Sequence, residues 1–143
     1  MPFVSKPVAI GDNQYLDGGI ADSIPFEWLA RQDCDKLIVI LTRDMEYRKK
    51  PMASAFVKLY GRKFPKIADK LLQRHNNYNR AVKELKKWET DGKVMIIRPS
   101  VPIEIGRIEK NSDKLQAVYE LGVKDCNANL QKLKEFINPN KKS

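Results

Sequence analysis

Two short apolar runs, KLIVILT at residues 36–42 and VMIIRP at residues 94–99, bracket a stretch whose apolar positions recur every 3.6 residues. Continuous β-branched and aliphatic residues without polar alternation are the pattern of a strand covered on both faces, commonly in a parallel sheet. Between the runs, Ile67, Leu71, Leu72, Tyr78, Ala81, Val82, Leu85 and Trp88 predict one long helix from Lys66 to Trp88, with Lys and Arg filling most of its other face. The DGK at residues 91–93 stops that helix, and Pro99 closes the second strand. Strands alternating with helices argue for an α/β fold.

The flanks extend the pattern. Val8 to Ile10 and Tyr15 to Asp17 read as a tight strand pair separated by the turn formers GDNQ. Asp22 or Ser23 caps a helix to about Arg31, with Pro25 near its first turn, where a missing N–H costs nothing. Pro51 opens a short helix through Tyr60 that Gly61 ends. A last helix runs from Ser112, the expected cap, to Phe136, with Leu115, Val118, Tyr119, Leu130, Leu133 and Ile137 on one stripe. Gly122 inside it costs about 1 kcal/mol relative to alanine unless another backbone packs close. One domain over residues 1–137 and a frayed tail, NPNKKS at 138–143, complete the division.

No window approaches the ~20 apolar residues of a membrane span, and the start MPFVSKPVAIG carries no charged leader followed by a long apolar run. The expected compartment is the cytoplasm. Cys34 and Cys126 have no CxxC or Cys/His partner nearby, so reduced, part-buried thiols are expected and no metal is. Between Arg43 and Arg98 there are 16 Lys and Arg against 6 Asp and Glu, so the formal charge of +9 resides in the middle of the chain. Such a field attracts acidic protein, an anionic membrane surface or nucleic acid, or is only a solvated helix face. Few aromatics spaced for base stacking and no recognised binding motif make nucleic acid the weakest of these.

The stretch YLDGGIADSIP, residues 15–25, places a carboxylate, Asp17, at the end of a strand and two glycines after it. In α/β sheets ligands bind just outside strand termini, and Gly18 and Gly19 let a substrate or second loop approach the backbone. An Asx turn without function accounts for the same residues. YLDGGIADSIPFEWL together with CDKLIVILTR, YRKKP, IIRPSVPIEIGRIEKNSDKLQAVYELG and NLQKLKEFI resembles the C-terminal half of a bacterial patatin-like phospholipase, a family of serine acyl hydrolases with a Ser–Asp dyad. The resemblance implies part of a three-layer α/β sandwich, with short strands in one sheet, flanking helices and a long C-terminal helix. It also implies that Asp17 is the dyad carboxylate, with Gly18, Gly19 and Asp22 as support, no cofactor, and an acyl lipid or other ester as substrate. For general-base work, partial burial is expected to raise the Asp17 pKa.

The family's nucleophile lies in a G-x-S-x-G elbow, and its oxyanion donors lie in a glycine-rich loop. The serines at 5, 23, 54, 100, 112 and 143 have no glycine two positions away on both sides, and there is no Gly-Gly-Gly run. The chain is therefore expected to be a C-terminal part, inactive alone, whose sheet has an open edge suited to self-association. The competing expectation is a stand-alone interaction module whose basic helix, Lys66 to Trp88, binds an acidic partner. His75, the single histidine, reads as a surface or groove residue, and Asp22 as a helix cap or a bond to the Asp17 turn. For Tyr15 and Trp28 a core role is expected over an acyl site. Arg48, Lys49, Lys50, Arg62 and Lys63 suit either solvated loops or anionic headgroups, the latter a peripheral location at the membrane.

Overall fold

The computed structural model describes residues 7–106 and 108–139. About half of the chain is helical, and its strands form two small sheets of two strands each, a mixed α/β architecture. The chain divides into two compact units, one of Met1–Glu27 with Arg48–Glu84, the other of Trp28–Tyr47 with Leu85–Ser143.

The first unit opens with an antiparallel hairpin, β1 (Val8–Ile10) and β2 (Asn13–Tyr15), in the register Val8↔Tyr15 to Ile10↔Asn13. Gly11, at φ +57°, takes the left-handed conformation that a two-residue hairpin loop requires. Asn13 and Gln14, expected in the turn, are therefore strand, and β2 ends at Tyr15, two residues short of Asp17. A 3-10 turn (Gly18–Ile20) follows, then α1 (Phe26–Leu29). The helix expected to reach Arg31 is only four residues long. Asp22 Oδ1 accepts the Ile24 N–H, and Phe26 N–H donates to the Ile24 carbonyl, so separate tight turns use these groups before α1 begins.

After α2 (Ser54–Gly61) comes α3 (Pro65–Thr90), which belongs to this unit through Glu84. The unit's core is Ile20, Val57, Ala68 and Leu71, with Leu16, Met52 and Ile67 packed against it. Burial of each such aliphatic side chain contributes about 1.5–3 kcal/mol. Because Ile20 directly follows Gly19, this core anchors the turn that carries Asp17.

In the second unit, β3 (Leu37–Ile40) and β4 (Val94–Ile97) pair in parallel, Leu37↔Val94 to Ile40↔Ile97. All four residues of β4 are buried, as its apolar run predicts. β3 departs from the expectation of two covered faces: Ile38 and Ile40 are exposed while Leu37 and Val39 are half-buried. The helix α4 (Ser112–Ile137) packs on β4, and among the described residues β3 has β4 as its one strand neighbour. The expectation of short strands in one sheet is likewise corrected. β1 and β2 pair only with each other across a two-residue loop, and β3 and β4 form a separate sheet.

Both long helices stop and start by identifiable chemistry. At the end of α3, Gly92 adopts φ +71°, its N–H donates to the Glu89 carbonyl at 3.1 Å, and the Lys93 N–H donates to the Trp88 carbonyl at 2.9 Å. That is the glycine-terminated closure which DGK predicts. The cap of α4 is Asn111 rather than Ser112, its Oδ1 accepting the N–H groups of Asp113 and Lys114 at 2.9 and 3.1 Å. Of the tail expected at 138–143, residues 140–143 lie outside the described residues, as do Ser5 and Ser143 of the serines considered above. Among the described residues no helix is long and apolar enough to cross a membrane.

Candidate functional site

Asp17 is exposed, and it caps the 3-10 turn: its Oδ1 accepts the Gly19 N–H at 2.9 Å. The backbone closes the same turn twice more, Ile20 N–H to the Asp17 carbonyl and Ala21 N–H to the Gly18 carbonyl, at 3.1 and 3.0 Å. The Gly19 carbonyl, in turn, accepts Arg74 Nε–H at 2.9 Å and Ser23 Oγ–H at 2.8 Å. Arg74 stands on α3, so the carboxylate's hydrogen-bond donor is itself held from the helix behind it.

The two glycines have different reasons to be glycine. A Cβ on Gly19 meets Asp17 Oδ1 at 3.2 Å, so a side chain there crowds the carboxylate, while Arg74 Nη2 at 3.7 Å is in ordinary contact. A Cβ on Gly18 meets nothing within 4 Å. Gly19 permits the tight turn, and Gly18 borders open space.

The Gly19 hydrogen bond, aided by the charge of Arg74, holds the Asp17 carboxyl below its ordinary value of 3.8. This corrects the expectation of a pKa raised by burial. Exposure leaves little desolvation to favour the protonated form, and an N–H donor stabilises the anion. The carboxylate is thus ionised, oriented and open to solvent. It is able to accept a proton from, or hydrogen-bond, a group brought to it.

Asp22 joins the turn through its backbone, its N–H donating to the Gly18 carbonyl at 3.0 Å, while its carboxylate serves Ile24 N–H at 3.0 Å. Its side chain also borders a small polar cavity of about 100 Å3 with Glu27, Asn77 and Arg80. Tyr15 and Trp28 are 51% and 60% exposed, against the core role expected of them. His75 is half-buried on α3, and its Nδ1 has no hydrogen-bond partner among the described residues.

Of the five basic residues that suit anionic headgroups, Arg48, Lys50, Arg62 and Lys63 are exposed. Lys49 is half-buried: its backbone exchanges hydrogen bonds with the Asn79 side chain at 2.9 and 3.1 Å, and its Nζ lies 4.6 Å from the Tyr78 ring centroid. Cys34 and Cys126 are free and exposed rather than part-buried. Among the described residues no three His, Cys, Asp or Glu gather as a metal site. Arg74 and Ser23 are the site residues that sequence reasoning missed. Ser23 carried a signal as a candidate cap, whereas Arg74 looked like one more cation on a basic helix face.

Residues 64–138 match the family model described as Domain of unknown function (DUF6363). No curated protein and no solved structure matches the chain.

Proposed function

This chain belongs to the DUF6363 family, and we propose that it supplies the carboxylate half of a Ser–Asp acyl hydrolase of the patatin-like kind, with Asp17 as the base. In this reading a serine hydroxyl attacks an ester carbonyl, and its proton passes to the Asp17 carboxylate as the new C–O bond forms. Collapse of the tetrahedral adduct expels the alcohol, which takes that proton. Water then attacks the acyl-serine as the same carboxylate takes its proton, and collapse of the second adduct breaks the bond to the serine oxygen, which receives that proton as the acid is released.

The observation that carries the reading is the turn itself: an exposed Asp17 whose orientation is set by Gly19 N–H, beside open space at Gly18. Its sequence context, YLDGGIADSIPFEWL followed by an apolar run, resembles the D-G-[GA] region of patatin-like phospholipases. The nucleophile and oxyanion donors come from outside this sequence, which contains no G-x-S-x-G elbow. On the same reading the two small sheets are parts of a three-layer sandwich, the substrate is an acyl lipid or other ester, and the protein works in the cytoplasm or at the membrane periphery.

The experiment is to express the complete reading frame that carries this chain, treat the product with a fluorophosphonate probe, and assay p-nitrophenyl butyrate. Covalent labelling of a serine outside these residues, with ester turnover, is the expected result. The absence of both labelling and turnover overturns the reading.

A second reading, a non-catalytic interaction module, has its own observation. Lys66, Lys70, Lys83 and Lys87 are all exposed along α3, and Phe56 and Leu59 are exposed on α2 among Lys58, Arg62 and Lys63. Salt-sensitive association with an acidic partner, together with no esterase activity in the complete product, favours it.

A further inference from the structure

A half-open cavity of about 500 Å3 lies within the second unit, at the C-terminal ends of β3 and β4, and is walled by the loop after β4 and by α4. Ile97, Ile103, Ile105 and Val118 make its wall mostly apolar. Volumes of this size, apolar with a few polar groups at the edge, are those of small-molecule sites.

Two glycines on its lining have no cause internal to the chain. Gly122 sits in the middle of α4, where glycine weakens a helix relative to alanine. A Cβ built there meets no atom within 4 Å, and the same is true at Gly106. Neither has the left-handed φ found at Gly11 and Gly92. Close packing and backbone conformation are thus both removed as reasons. Both glycines are exposed residues of the cavity lining, where a side chain would take up room beside the space a ligand needs.

The polar lining has a definite sign. Arg43 and Arg98 are both half-buried there, with Asp125 the single carboxylate on the lining among the described residues. Asp125 is buried, and its Oδ2 already accepts the Ser100 N–H at 2.8 Å. Arg43 Nη1 donates to the Ile103 carbonyl at 3.4 Å, a long bond, and Arg98 Nη2 stands 3.9 Å from Glu89, beyond hydrogen-bond distance. The Arg43 guanidinium also lies 4.9 Å from the Tyr47 ring centroid, which leaves Arg98, with Glu89 at 3.9 Å, as the more available cation. Such a guanidinium beside an apolar wall suits a ligand with an apolar body and a carboxylate head, since it presents paired donors to two carboxylate oxygens.

We propose that this cavity binds an aliphatic monocarboxylate of medium chain length, its chain along Ile97, Ile103, Ile105 and Val118 and its head on Arg98, with Gly106 and Gly122 leaving room beside it. The proposal is independent of the role of Asp17.

The test is calorimetric titration of the full chain with decanoate, and in parallel with decanol and with acetate, which separate the chain from the charge. One saturable site is expected for decanoate, at least about tenfold tighter than for decanol, with acetate silent. Gly122→Leu is expected to weaken decanoate binding at least about tenfold while Tm holds or rises, because leucine is the better helix former. Should that variant fail to fold, Gly106→Leu in the loop places the same obstruction outside a helix. Arg98→Gln is expected to bring decanoate to the level of decanol and leave decanol unchanged. Unsaturable decanoate binding, equal affinity for decanol, or wild-type affinity in the folded glycine variant overturns the proposal.

Discussion

Arg74 donates its Nε–H to the carbonyl of Gly19 at 2.9 Å, linking the third helix to a turn 55 residues earlier in the chain. The same glycine's N–H is the donor to Asp17 Oδ1. The guanidinium therefore acts on the carboxylate in two ways, through the residue whose carbonyl it holds and through its own charge. Arg74→Met removes a hydrogen bond from a charged, half-buried donor, a loss of about 1.5–3 kcal/mol. Thermal denaturation is expected to show Tm lower by several degrees, and the Asp17 carboxyl is expected to titrate higher than in the wild type. An unchanged Tm and an unchanged titration contradict this coupling.

The glycines of the motif separate under substitution. Gly18→Ala adds a methyl group to open space and is expected to leave Tm and the Asp17 titration as they are. Gly19→Ala places a Cβ 3.2 Å from Asp17 Oδ1, so the carboxylate has to move by a few tenths of an ångström and its bond to the backbone is disturbed. Carbon-13 chemical shifts of the Asp17 carboxyl carbon across pH give the comparison. Equal behaviour of the two variants argues against the difference assigned to these positions.

Acid titration has a defined sign. Folding lowers the Asp17 pKa, so its contribution to stability is fully present above the ordinary value of 3.8 and is lost as pH falls through the lower folded value. Asp17→Asn keeps an oxygen to accept the Gly19 N–H but does not titrate. Above pH 5 the two proteins differ by a constant amount. Below it the wild type is expected to lose stability relative to the variant, measured by urea denaturation at a series of pH values. A difference that stays level down to about pH 2 contradicts the lowered pKa.

The long elements were legible before the structure because their signals are local. The 3.6-residue repeat from Ile67 to Trp88 became α3, DGK became its glycine closure, and the run after Lys93 became the buried strand β4. Where burial depends on a neighbour, the pattern was insufficient. Leu37 to Ile40 has the same composition as β4 but leaves Ile38 and Ile40 exposed, because coverage comes from other elements and not from the run itself. The four turn formers after β1 likewise gave up Asn13 and Gln14 to strand once Gly11 and Asp12 sufficed for the loop. At the candidate site, DGG marked Asp17, but the direction of its pKa depended first on the bond from Gly19 N–H and then on exposure and the charge of Arg74, the last two without a nearby sequence signal.

A single residue's displacement at the start of α4 is a further check on capping. Asn111 accepts two backbone N–H groups that Ser112 had been expected to serve. Asn111→Ala is expected to destabilise the fold by about 0.5–2 kcal/mol and Ser112→Ala by much less, read from urea denaturation midpoints. The reverse order would return the cap to Ser112.

The role of Asp17 is tested most directly by ester hydrolysis in the complete reading-frame product, wild type against Asp17→Asn, with Tm recorded for both. A dyad base predicts a loss of about 100-fold or more in kcat/KM while the Tm values show both proteins folded at the assay temperature. Equal kcat/KM in the two folded proteins contradicts it, leaving Asp17 as the cap of a 3-10 turn and nothing more.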